Sequence, residues 1–128
     1  MRLLLDSHTF LWWVSNDRAL TRRPRAVIAD AANDCYVSHA SIWEMAIKAS
    51  LGKLTLPSPA ERFVATQCAI NGFHLLPIAL DHIGLVEALP LHHRDPFDRL
   101  LVAQARIEGL TLVSRDPSLK AYGVAVVS

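Results

Sequence analysis

The chain has 128 residues, of which 52% are apolar and 20% charged, and its formal net charge is +1. That length is one domain, residues 1–128, and it suffices to bury a core without a disulfide or a structural metal. A charge so near zero gives no global basic signal for nucleic acid, so any such function has to rest on a local site.

The chain opens Met1-Arg2-Leu3-Leu4-Leu5 and meets Asp6 after three leucines, too short an apolar run for a signal peptide. Arg2–Asp6 instead reads as a buried strand. Ser7–Ser15 predicts a helix carrying Phe10, Leu11, Trp12 and Trp13, and Thr21–Ala32 a second, with Pro24 near its start. Cys35–Ser38 is the next strand and Ser38–Leu51 the third helix, closed by Gly52 where a left-handed residue is wanted. A fourth helix covers Pro59–Asn71. His74–Ile78 is a strand, Leu80–Leu89 a short helix and Pro96–Glu108 a long one stopped by Gly109. Leu110–Ser114 and Gly123–Val127 are the last strands. Strands alternating with helices predict an α/β fold: a doubly wound, mostly parallel sheet of about five strands flanked by helices.

Cys35 and Cys68 form no CxxC pair and no zinc spacing, as expected in a reducing compartment. No run approaches the roughly 18 apolar residues of a membrane span, so the expected location is cytoplasmic, without membrane. The apolar share exceeds what a small domain hides, which points to a partner or a dimer.

In open parallel sheets, ligands bind beyond the carboxyl ends of the strands. Asp6 ends the first strand, Asp116 comes just after the strand Leu110–Ser114, and Asp98 lies in the first turn of the helix after Asp95-Pro96. Glu44 is the only acid of its helix, on a polar stripe with Ser41 and Lys48. Carboxylates converging on one cleft suit a hard divalent cation such as Mg²⁺, which activates water and stabilises charge on a phosphate. Each acid also has a plainer reading. Asp6 can cap the helix after it, Asp116 can be a turn or cap residue before Pro117, and Glu44 can pair with Lys48. Asp95 is an N-cap with Pro96 at the first helical position. Asp98 can be a first-turn acid favoured by the helix dipole. His92 and His93 are adjacent and point apart, so they are poor co-ligands. His8 lies near the site but reads as structural or solvent-facing. Trp12, Trp13 and Trp43 read as core or interface residues rather than base-stacking platforms.

The block Leu-Leu-Leu-Asp6-Ser7-His8-Thr9-Phe10-Leu11-Trp12 resembles the start of VapC-type PIN domains. So do Val37-Ser38-His39-Ala40-Ser41-Ile42-Trp43-Glu44 to Lys48, His92-His93-Arg94-Asp95-Pro96-Phe97-Asp98-Arg99, and Leu112-Val113-Ser114-Arg115-Asp116, in that order along nearly the whole chain. The resemblance implies a five-stranded parallel sheet and an Mg²⁺- or Mn²⁺-dependent endoribonuclease, the toxin of a type II toxin–antitoxin pair. It carries the family's catalytic and metal-binding acids to Asp6, Glu44, Asp98 and Asp116, with Asp95 an extra acid nearby. Ser114 stands where many relatives have Thr. The implied mechanism has the metal, held by Asp6 and Asp98 with help from Glu44 and Asp116, orient and deprotonate a water that attacks the RNA phosphodiester in line. A cognate antitoxin blocking the site and a homodimer are implied too. The alternatives are a receiver-like phosphoacceptor and a catalytically inactive PIN binding module. Ser7-His8-Thr9 after Asp6, and Ser114-Arg115 in place of a lysine, speak against the receiver.

Overall fold

A computed structural model describes residues 1–128. Five strands form one sheet: β1 (Arg2–Leu5), β2 (Asp34–Ser38), β3 (His74–Leu76), β4 (Thr111–Val113) and β5 (Val126–Val127). Every pairing is parallel, and the order across the sheet is β3-β2-β1-β4-β5. Six helices cover it: α1 (Ser7–Val14), α2 (Arg22–Ala29), α3 (His39–Ser50), α4 (Ala60–Asn71), α5 (Leu80–Ala88) and α6 (Pro96–Glu108). A 3-10 turn, Pro117–Tyr122, precedes β5.

The central strand explains why both faces need cover. Leu3, Leu4 and Leu5 are all fully buried, and the side chains of a strand alternate between faces. Leu3 and Leu5 join Phe10 of α1, Ile28 of α2, Met45 of α3 and Val64 of α4 in one apolar cluster. Leu4 joins Leu112 and the α6 residues Leu101, Val102 and Ala105 in the other. A strand apolar at consecutive positions is therefore sandwiched between two helical layers.

Element types agree with expectation; several ends do not. β3 stops at Leu76 rather than Ile78 because Pro77 has no N–H for a ladder. The last strand is only Val126–Val127, since Asp116 and Pro117 start a 3-10 turn that runs to Tyr122 and Gly123 turns out of it at φ 79°. α2 is shorter than Thr21–Ala32: Asp30 leaves the helical region at ψ 112°. α4 and α6 end on Gly72 and Gly109 in the left-handed region, at φ 69° and 67°.

β1 continues to β2 on one side and is flanked by β4 on the other, so the strand order reverses between β1 and β4. The crevice beyond their carboxyl ends is the place for a site in such a sheet, and it opens between Asp6 and Ser114-Arg115-Asp116.

A candidate acidic active site at the carboxyl ends of β1 and β4

A cleft of about 470 Å³ opens at that reversal point, and Asp6, Glu44, Asp95, Asp98 and Asp116 all line it. Four chain segments deliver these acids. Asp6 is the last residue before α1, where its Oδ1 accepts from the Thr9 N–H (2.8 Å). The Asp6 backbone N–H donates to the Val113 carbonyl (3.2 Å), tying the end of β1 to β4. Asp6 is both a cap and a member of the cleft. One carboxylate oxygen caps the helix, and the other makes no hydrogen bond within the chain.

Glu44 reaches the cleft from the second turn of α3. Ser7 Oγ donates to its Oε1 (2.5 Å), and Lys48 Nζ lies 3.2 Å from Oε2. The i,i+4 pair expected from sequence is present, yet it shares Glu44 with a residue of α1. Ser41, expected on the same stripe, is buried; its hydroxyl has no hydrogen-bond partner and it does not line the cleft.

Asp95 N-caps α6, its Oδ1 accepting from the N–H groups of Phe97 (2.8 Å) and Asp98 (3.2 Å). Asp98 lies in the first turn. Burial, then the charges of Asp95 and Asp6, push its carboxyl up to about 7, with a smaller push from Glu44 and a partial offset from His93. Carboxylates gathered this closely raise one another's proton affinity. Asp116 behaves in the opposite way. Ser118 Oγ donates to its Oδ1 (2.5 Å) and holds it below the usual carboxylate range, helped by the Ser118 N–H and His93 against a rise from burial.

The two adjacent histidines point apart, as their spacing predicts. His92 packs edge-on against Tyr122, with ring centroids 5.0 Å apart. His93 turns into the acids, its Nε2 2.9 Å from Asp116 Oδ2 and 3.6 Å from Asp98 Oδ2. The Asp95 N–H donates to His93 Nδ1 (3.1 Å), so Nε2 carries the proton that bonds Asp116. Sequence reasoning treats the two histidines as a pair of poor ligands and so misses His93 as a neighbour of the acids. The signal available is its place two residues before the capping Asp95.

His8, Trp12 and Arg115 complete the rim. The Arg115 guanidinium lies 5.5 Å from the Trp12 ring centroid, and the His8 ring also lies 5.5 Å from Trp12. Trp13 fits the core reading: it packs on Phe73 and bonds Asn71. Trp43 is 57% exposed against Phe97.

The donor set fits a hard divalent ion. It is dominated by carboxylate oxygens, and His93, Asp98 and Asp116 each offer a ligand atom within 4.8 Å of the others. The upward push on Asp98 is the electrostatic mark of acids assembled for a cation.

Comparison with known proteins agrees with this architecture. The crystal structure of VapBC2 from Rickettsia felis bound to a promoter DNA fragment matches 99% of this chain and 98% of its own at a TM-score of 0.71 and 11% identity. FitAcB from Neisseria gonorrhoeae matches 98% and 96% at 0.66 and 18% identity. Ribonuclease VapC16 of Mycobacterium tuberculosis is 38% identical over 58 residues, a stretch that covers 45% of this chain and 40% of that protein. The model of the PIN domain matches residues 3–125, and the chain belongs to the PIN-domain family.

Proposed function

We propose that this protein is a metal-dependent endoribonuclease and the toxin of a toxin–antitoxin pair. The observation that carries the reading is the convergence of Asp6, Glu44, Asp98 and Asp116 on one cleft of a PIN-domain sheet. Similarity to a protein named a ribonuclease, and a fold shared with VapBC and FitAB complexes, support the choice of substrate and partner.

Asp6, Glu44, Asp98 and Asp116 are the residues that would hold Mg²⁺ or Mn²⁺. Such an ion, when bound, supplies acidification of a water and stabilisation of charge on phosphate oxygens. The chain's own residues fix the geometry. Ser7 and Lys48 hold the two oxygens of Glu44, and Ser118 and His93 hold those of Asp116. Locked rotamers of this kind keep carboxylates in position. Asp95 sets the start of α6 and through it the placement of Asp98.

For partners, a peptide arginine suits the cleft, since a guanidinium forks onto paired carboxylates. Trp43, Ile47 and Leu51, four residues apart, and Leu80 and Ile83 on α5 leave apolar surface exposed for an antitoxin or a second subunit. No helix is long and apolar enough to cross a membrane. Cys35 and Cys68 are both free and buried, with thiols pushed up to about 11, in keeping with a cytoplasmic protein.

The test is cleavage of single-stranded RNA with Mg²⁺, with Mn²⁺ and with chelator. Cleavage that needs the ion and disappears in Asp6→Asn is expected. Chelator-resistant cleavage, or full activity of Asp6→Asn, would falsify the mechanism.

A further inference from the structure

A phosphodiester entering this cleft meets five carboxylates and only two cationic side chains, Lys48 and Arg115, on a chain of net charge +1. Lys48 is paired with Glu44. Affinity for a nucleic-acid backbone comes largely from Lys and Arg on phosphates. If RNA is the substrate, the attraction has to come from beside the cleft.

Several arginines are committed to structure. Arg25 bonds the Asn16 side chain and the carbonyls of Asp17 and Leu20. Arg99 bonds the carbonyls of Val86, Leu89 and Pro90 and the Tyr122 hydroxyl. Arg18 and Arg115 are different. Both are exposed, and the side chain of neither makes a hydrogen bond or ion pair within the chain. The one cation–π contact of Arg115 is with Trp12.

Both arginines border a second groove of about 560 Å³, and it is continuous with the acidic cleft: Trp12, Ser114 and Arg115 line both. Thr21 also lines the groove, and the exposed Arg22 is next in the chain. A half-buried indole thus stands at the junction of an acidic cleft and a groove carrying two unpaired guanidinium groups. Unpaired bases stack on aromatic rings and on arginine planes, and such stacking accepts any base.

We propose that the groove bordered by Trp12, Arg115 and Arg18 is a track for the unpaired nucleotide next to the scissile phosphate. Its base packs on the Trp12–Arg115 pair, and its phosphates lie on Arg115 and Arg18. The proposal rests on the ribonuclease reading and adds to it a substrate requirement, a single strand with a base present at one flanking position. It also revises the expectation that Trp12 is only a core residue.

The test uses a short, fluorescently labelled single-stranded RNA, with binding read by anisotropy in chelator so that no cleavage intervenes. Replacing both arginines, Arg18→Gln with Arg115→Gln, should flatten the dependence of log affinity on log salt by about 0.7 for each phosphate no longer neutralised. Trp12→Ala should weaken binding by roughly 5- to 150-fold, the range for removal of one base stack. Oligonucleotides made abasic at successive positions should bind the wild type more weakly at one position, and Trp12→Ala should be indifferent to that position. Arg106→Gln, an exposed change near the end of α6 remote from Asp98, should alter neither slope nor affinity. Trp12 packs against the core, so its variant is first checked for a cooperative melt; the exposed arginine changes disturb no packing.

An unchanged salt slope in the arginine pair overturns the track, as does an abasic penalty equal in wild type and Trp12→Ala at every position. Arginine variants that keep RNA affinity but lose a co-purifying protein partner mark the groove as a protein-docking surface, which also overturns it. A wild type that neither binds nor cleaves RNA defeats the ribonuclease reading itself, whereas cleavage with undiminished binding by the variants defeats the track alone.

Discussion

Replacing Asp98 by Asn should make the metal-free protein more stable, and only above a definite pH. The Asp98 carboxyl stands at about 7, against an ordinary value of 3.8. An acid whose folded value is raised costs nothing below the unfolded value, where both states are protonated. The cost grows from about pH 4, as the unfolded chain ionises first, and levels off above about pH 7. At about 1.4 kcal/mol per unit, a rise of this size sets an upper bound of roughly 4 kcal/mol. Solvent screening reduces it, because 25% of the Asp98 side chain is exposed. Asparagine also forfeits about 0.3–1 kcal/mol of interaction with the α6 dipole. The net expectation is about 1–2 kcal/mol of added stability at pH 8, or roughly 3–8 °C in Tm for a domain of this size. Thermal melts in chelator at pH 4 and pH 8 measure it. Excess Mg²⁺ should reverse the order, because a ligand that binds only the folded state raises its stability and Asn is the poorer ligand. If Asp98→Asn melts no higher than wild type at pH 8 in chelator, the carboxylates do not crowd one another as described. An advantage that persists undiminished at pH 4 would refute the charge explanation and leave packing as the cause.

Asp95→Ala should lower stability by about 1 kcal/mol through loss of the α6 cap, with and without Mg²⁺; a loss confined to the Mg²⁺-stabilised form would instead make Asp95 a ligand. His93→Ala removes the hydrogen bond that orients Asp116, and should reduce RNA cleavage by about 10- to 100-fold, the usual effect of losing a group that supports a ligand. Undiminished cleavage would show that Ser118 alone suffices to hold Asp116. Gln104 is fully buried, accepts from Ser38 Oγ (2.5 Å) and donates to the Pro77 carbonyl (3.3 Å). Gln104→Leu should destabilise the fold by about 1–3 kcal/mol, as buried polar groups lose their partners, and a denaturant midpoint equal to wild type would contradict this.

The sequence by itself determined the elements and which of their ends carry acids. Leu3–Leu5, with no polar residue, reads as a strand covered on both faces, and Asp95-Pro96 opens a helix. Helix ends were legible where glycine supplies the left-handed residue, at Gly72 and Gly109. The 3-10 turn Pro117–Tyr122 was not legible, because its Asp-Pro start announces a turn of any kind. The four acids were legible as positions after a strand, on a helix face and at a helix start, since those positions are local. Which neighbour holds each acid was not. Ser7 on Glu44 joins residues 37 apart in the chain, and His93 on Asp116 joins residues 23 apart. Periodicity carries no information about such pairs; they arise from the order β3-β2-β1-β4-β5, which brings the ends of β1 and β4 side by side. The same juxtaposition sets Trp12 of α1 against Arg115 beyond β4. The opposed shifts of Asp98 and Asp116 likewise arise only in the tertiary structure, because burial and through-space charge act on one while Ser118, two residues along, dominates the other.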